Sequence, residues 1–219
     1  MTLFRRTLAI CSLCSVVLIC DGRETGNQIF QISGYIDDKT VVALVAQLDS
    51  GKRPLLLMKN SGGGSISSGL ALGFLIDKYR LSTAVSGFCN SLCANVYMMG
   101  VTRHLALGAD PENTNLLFHG VYDKNSRRQS VDVDYQRQLI RKFRENTSGK
   151  FPLQLIEKFL DTETPSLGMI VYFSPKKSSE GRSYSVGYCD AKGGSKVPSC
   201  EILFDYDPLS LGVVSGEAD

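Results

Sequence analysis

Charge of one sign is scarce in this chain. Its 24 Lys and Arg are nearly balanced by 22 Asp and Glu, leaving a formal charge of +2. A surface so balanced offers no general field for nucleic acid or an anionic membrane, and nucleic acid is excluded as an expected partner. Histidine is scarcer still, with His104 and His119 the only two. A structural zinc draws on thiolates at CxxC-type spacing and usually on histidine, whereas Cys89 and Cys93 are spaced CxxxC with only His104 nearby in sequence. No metal and no other cofactor is expected. No apolar run reaches the ~20 residues of a comfortable bilayer span. Internal repeats and long low-complexity tracts are absent. The glycine-rich turn at Asn60–Ser65 is not followed by the Gly-Lys-Ser/Thr of a P-loop, nor does it complete a GxGxxG fingerprint.

What is present is an ordinary globular composition, 43% hydrophobic and 21% charged over 219 residues. That length supports one domain with a real core, or one domain and a small appendage. The first residues stand apart. "MTLFRRTLAICSLCSVVLIC" places Arg5 and Arg6 ahead of an apolar run from Leu8 to Cys20. A basic head on a short apolar body is the pattern of a secretory signal, so residues 1–21 are expected to act as a signal peptide or N-terminal anchor. Cleavage near Cys20, lipidation at Cys20 and retention as a membrane anchor all stay open. The expected location is outside the cytoplasm, in the periplasm or facing it.

Export changes how the cysteines read. Cys11, Cys14 and Cys20 go with the leader, leaving Cys89, Cys93, Cys189 and Cys200. Four cysteines in an oxidising compartment allow three pairings, of which Cys89–Cys93 with Cys189–Cys200 closes the shortest loops. A bridge across Cys89 and Cys93 requires α-carbons within ~7 Å, which one helical turn satisfies if Cys89 lies outside the helix.

Along the chain the periodicity predicts an α/β domain over 28–174 with a mostly parallel sheet, followed by a C-terminal extension over 175–219. "IFQISGYID" reads as a strand and turn. "DKTVVALVAQLDSGK" carries apolar residues at helical spacing between Asp38 as a cap and Gly51 as a stop. "PLLLMKN" is a short continuous apolar run, as in a strand buried on both faces. "LALGFLIDKYR" reads as a helix, "LSTAVSG" as a strand ending in a turn at Gly87, and "SLCANVYMMG" as an apolar helix. "RHLALG" and "NLLFHG" read as short strands, and the segments around 133–146 and 153–160 as amphipathic helices. In such sheets ligands sit at the carboxyl ends of strands, where loops enter helices.

Two of those loops carry unusual chemistry. "NSGGGS" after a buried strand is a run of backbone amides with little side-chain bulk, able to stabilise an anion or an oxyanion. Ser91 follows a strand and opens an apolar helix, which is how a nucleophile is held exposed beside the amide of the next residue, Leu92. His119 ends a short strand on the same face. Ser91 also has a plainer reading as a helix N-cap, a position serine favours.

The order of these motifs resembles the Clp-protease and crotonase-like fold, and within it the serine peptidases of the ClpP type. "LLLMKNSGGGSISSGLALGFLI" is similar to that family's strand, Asn-Ser-Pro-Gly-Gly turn and helix, "GFCNSLCA" to its Gly-x-x-x-Ser turn, and "LLFHG" to the strand ending in its catalytic histidine. The resemblance covers roughly 32–136, and it is closer still to an exported branch with a Cys-x-Ser-x-Cys core. It implies a superhelix of β-β-α units, Ser91 as nucleophile, His119 as general base, and an oxyanion hole from the amides of Gly64 or Gly63 together with Leu92. Gly62 stands where the family has proline. The third triad member is not given by a motif; Asp161 is the best carboxylate by order, ahead of Asp123 and Asp134. Lys142 or Lys150 is the counterpart of a lysine base used by signal-peptide peptidases of this fold. The resulting expectation is an exported serine hydrolase acting on peptide or protein, assembling as a homo-oligomer. The contrasting expectation is a module of the same fold that binds without catalysis. Acyl-CoA chemistry is the poorest fit, because that substrate is not expected outside the cytoplasm.

Overall fold

The computed structural model describes residues 28–122, 125, 127–129, 133–162, 164–190 and 199–215. The expected leader over residues 1–21, with Cys11, Cys14 and Cys20, lies outside the described residues, as does Asp123.

Strand β1 (Ile29–Ile32) and the two-residue β2 (Tyr35–Ile36) lead into α1 (Asp38–Asp49). The cap of α1 is Asp37, one residue before the Asp38 expected from the pattern. Its carboxylate accepts from the amides of Lys39 at 3.0 Å and Thr40 at 3.1 Å, while the Thr40 hydroxyl accepts from the Asp37 amide at 3.4 Å. This reciprocal box satisfies helix-start donors that would otherwise lack partners. Strand β3 (Leu55–Ser61), the short β4 (Gly63–Gly64) and α2 (Ile66–Tyr79) follow. Then come β5 (Thr83–Asn90), α3 (Leu92–Met98), β6 (Arg103–Leu105) and β7 (Asn115–Phe118). The chain continues through α4 (Val133–Asn146), α5 (Leu153–Leu160), β8 (Gly168–Lys177), β9 (Ser183–Asp190) and β10 (Ser199–Ile202).

The central sheet runs β1-β3-β5-β7-β8-β9-β10, with β6 also paired to β5. From β1 to β7 every pairing is parallel; from β7 to β10 every pairing is antiparallel. The protein is therefore mixed α/β with a mainly parallel sheet, as the periodicity predicts. The expected boundary after residue 174 falls inside β8, and the residues beyond it pair into the same sheet. That segment is also tied down elsewhere. The fully buried Arg103 guanidinium donates to the carbonyls of Gly100, Asn146 and Gly212, and the Tyr97 hydroxyl donates to the Val213 carbonyl. A buried cation needs such partners, and here they bind Gly212 and Val213 to the ends of α3 and α4.

The core explains why the parallel half is held firmly. All seven residues of α3 are buried. They pack among Leu44, Leu48, Leu56, Met58, Leu72, Ile76 and Val85 from the surrounding helices and strands. A second group gathers where β7 ends. The Phe118 ring lies 5.7 Å from Phe143, 6.2 Å from Phe151 and 5.3 Å from Phe159, centroid to centroid. Truncating an aromatic buried this way costs about 3–5 kcal/mol. Phe118 anchors the strand immediately before His119.

The sequence places a turn at Gly87, and the structure corrects this. Strand β5 runs on to Asn90, and Gly87 sits where the register with β3 shifts between Lys59 and Ser61. Its φ is +75°, and a Cβ there would lie 2.0 Å from the Asn60 Oδ1. Only glycine fits, and its effect is a local bulge that redirects the end of β5 rather than a turn.

Candidate active site

Ser91 is the junction between β5 and α3. Its backbone is at φ 57°, ψ −128°, a region that L-residues with a side chain rarely occupy and that costs of order 1–3 kcal/mol. Three contacts hold it there. The Ser91 amide donates to the Leu117 carbonyl at 2.7 Å, and the Ser91 carbonyl accepts from the Asn95 amide at 3.2 Å. Gly63 packs from the other side, so closely that a Cβ on it would sit 2.8 Å from the Ser91 Cβ. Ser91 makes no side-chain cap to α3. The plain N-cap reading fails for that reason, and the first amides of α3 are left without a side-chain partner.

Beneath the serine, Cys89 in β5 and Cys93 in α3 are joined as a disulfide with α-carbons 5.2 Å apart. Both cysteines are fully buried. The bridge spans the strand end and the helix start, so the Ser91 turn is closed covalently from below. Cys189 and Cys200 form the second disulfide, facing each other across β9 and β10.

Parallel neighbours β5 and β7 end at the same edge of the sheet, with Asn90 paired to Leu117. That register brings Ser91 and His119 to the wall of one cavity of about 500 Å³, which Gly64, Leu92, Asn95 and Tyr135 also line. No hydrogen bond links the two side chains. His119 Nδ1 lies 2.6 Å from the Gly120 carbonyl oxygen. A carbonyl can only accept, so Nδ1 carries the proton, and the neutral ring has its lone pair on Nε2. Burial lowers the His119 pKa below its usual 6.5, with the Gly120 carbonyl opposing part of that shift. The imidazole is thus neutral and basic at Nε2 near pH 7. Gly120 is itself held by the Thr162 hydroxyl, which accepts its amide at 2.9 Å.

The remaining sequence candidates fall elsewhere. Asp161 was expected as the orienting acid, but its carboxylate accepts from Arg128 Nη2 at 2.6 Å and makes no bond to His119. The place of an acid at Nδ1 is taken by a main-chain carbonyl, which no side-chain motif could reveal. Asp134 pairs with Arg137, and Lys142 with Asp77 and Glu145. Neither Lys142 nor Lys150 lines the Ser91 cavity. His104 sits on β6, with Nε2 2.9 Å from the Thr102 hydroxyl. Asn146 opens an Asn-Thr-Ser triplet of the glycosylation-acceptor type, but its side chain is spent on structure, donating to the carbonyls of Met98 and Met99. Of the two glycines proposed for an oxyanion hole, Gly63 donates its amide to the Ser61 hydroxyl at 3.3 Å, and only Gly64 lines the cavity. Sequence reasoning missed Asn95 and Tyr135; a polar asparagine inside the apolar "LCANVYMM" helix was the available signal. Among the described residues no group of His, Cys, Asp and Glu could hold a metal ion.

No family model and no curated protein matches this chain. Among solved structures it is similar to the catalytic domain of the ClpP protease from Plasmodium falciparum, at 21% identity and a TM-score of 0.44. That similarity covers 62% of this chain and 74% of the other.

Proposed function

We propose that the protein is an exported serine hydrolase, a peptidase, with Ser91 as nucleophile and His119 as general base. The observation that carries this reading is the backbone of Ser91: φ 57° at a strand–helix junction, fixed by a buried disulfide, with its side chain spared from capping. Strain at a positioned serine beside a neutral, oriented histidine is the arrangement nucleophilic catalysis requires. Ser91 Oγ attacks the substrate carbonyl as its proton passes to His119 Nε2. The oxyanion that forms is met by the amides of Leu92 and Gly64. Successive N–H groups of a strand point to opposite sides. The next amide, Ser65, donates to β2 through the Ile36 carbonyl. Gly64 is thereby left for the cavity side. Collapse breaks the C–N bond, and His119 returns the proton to the leaving amine. Water then attacks the acyl-serine ester, giving its proton to His119, which hands it back to Ser91 as the acid departs.

Two disulfides favour an oxidising compartment, in line with export. No helix among the described residues is long and apolar enough to cross a membrane. A second reading, a binding module without catalysis, draws on the absence of a Ser91–His119 hydrogen bond and on Asp161 being turned to Arg128. Catalytic bonds often tighten only with substrate present, which favours the first. A fluorophosphonate probe separates them. It should label the oxidised protein and not Ser91→Ala; a folded, disulfide-bonded protein that stays unlabelled would establish the binding module.

A further inference from the structure

Asn95 lies one helical turn below Ser91 on α3, joined to it by the amide-to-carbonyl bond that starts the helix. It is 6% exposed and lines the same cavity. Its Nδ2 donates to the Tyr135 hydroxyl at 3.0 Å, but its Oδ1 is buried with no hydrogen-bond partner. An acceptor left unpaired in a protein interior is costly, and native structures retain few of them. Asn95 belongs to the cavity wall beside Ser91, and that cost is recovered when a ligand displaces the packing over Oδ1 and brings it a donor.

We infer that Asn95 is a specificity residue, whose Oδ1 accepts a hydrogen bond from the side-chain carboxamide of a glutamine on the acyl side of the cleaved bond. The inference rests on the peptidase reading. Three features select the ligand. Asn95 Cα stands about 6 Å from Ser91 Cα along the helix, four residues at the α-helical rise. A hydroxyl on the first side-chain carbon falls short of that depth, while the amide nitrogen of glutamine lies about 5 Å from its own Cα by standard bond lengths. Among the described residues no acidic side chain lines the cavity, so those residues offer the ammonium of a lysine no counter-charge. Val121 and Leu160 on the wall give the methylenes of glutamine an apolar surface. A purely aliphatic side chain would fill the space and leave Oδ1 unpaired.

The test is a panel of fluorogenic acyl substrates ending in Gln, Glu, Leu or Lys, run on the oxidised protein with fluorophosphonate labelling in parallel. Gln should exceed Leu and Glu in kcat/KM by about tenfold or more, because a site built around a hydrogen bond rejects analogues that cannot make it. Asn95→Leu should collapse the Gln-to-Leu ratio by at least about tenfold. Asn95→Asp should move the preference towards Lys, which gives a gain to measure should the leucine variant fold poorly. Wild-type preference for Leu over Gln, or an Asn95→Asp protein with the wild-type ranking, overturns the inference while Ser91 labelling leaves the peptidase reading in place. Absence of labelling at Ser91 overturns both.

Discussion

The two disulfides place the same bond in opposite settings. Cys89–Cys93 is fully buried and closes a span of four residues under Ser91. Cys189–Cys200 closes eleven residues at the antiparallel end of the sheet, with Cys189 half-buried and Cys200 exposed. Chain entropy ranks them one way: the loop model assigns about 2 kcal/mol to the shorter span and about 3 kcal/mol to the longer. Position ranks them the other way. The short bridge sets the angle of a strained backbone beside the cavity, and the long one staples the edge strand β10 to β9, neither of which lines the cavity. A disulfide's contribution to folding and its contribution to a site are therefore separate quantities, and this protein separates them in one chain.

Five experiments act on that contrast, the largest effect first. His119→Ala removes the base served by the rigid half, and the rate of fluorophosphonate labelling at Ser91 should fall by ~10³-fold or more. A smaller loss would mean that another group takes the proton. Next, Cys89→Ala/Cys93→Ala should lower the labelling rate by about 10–100-fold with the circular dichroism spectrum retained, as expected when a positioned nucleophile loosens. Cys189→Ala/Cys200→Ala should leave the rate alone and lower unfolding free energy by about 3 kcal/mol in urea titration. Equal effects of the two double variants on reactivity would erase the distinction.

A pH profile sharpens it further. Burial holds the His119 pKa below 6.5 in the folded state. The midpoint of labelling should thus lie below pH 6.5, with the rate declining in more acidic solution. Stability follows the same sign. Below pH ~6.5 the unfolded chain takes up a proton that the folded imidazole still refuses, so the histidine's contribution is lost as pH falls through that window. A labelling midpoint above 6.5 would contradict the burial of the ring. The smallest effect is expected from Asp161→Ala. With Gly120 orienting Nδ1, labelling should change by less than about threefold, far from the ~10⁴ that removal of an orienting acid costs a triad. A large loss would restore Asp161 to the site.

The parallel half was readable because its signals are local. Continuous apolar runs, a glycine turn and helical spacing mark β3, α2, β5 and α3 within a few residues each. The antiparallel half was not. "GMIVYFSPKK" and "SYSVGYCD" mix polar and apolar residues, and the tail reads as an extension by composition. Its strands exist because β7 offers an unpaired edge on which β8 can build, a long-range fact absent from any short window. The site divides along the same line. Ser91 and His119 could be picked out by type and position, whereas the partner of His119 Nδ1 could not.

The amino-acid sequence alone determined the α/β class, the serine at a helix start, the histidine at a strand end and cysteines close enough to bridge around the serine. Each of these depends on residues adjacent in the chain, where periodicity and spacing carry the information. Only the tertiary structure decided that Gly87 is a bulge, that Gly120 rather than Asp161 faces His119, and that the Oδ1 of Asn95, a residue of the cavity wall, has no partner. Those outcomes turn on which groups meet across the sheet, and a backbone carbonyl or an orphaned side-chain oxygen leaves no mark on residue identity.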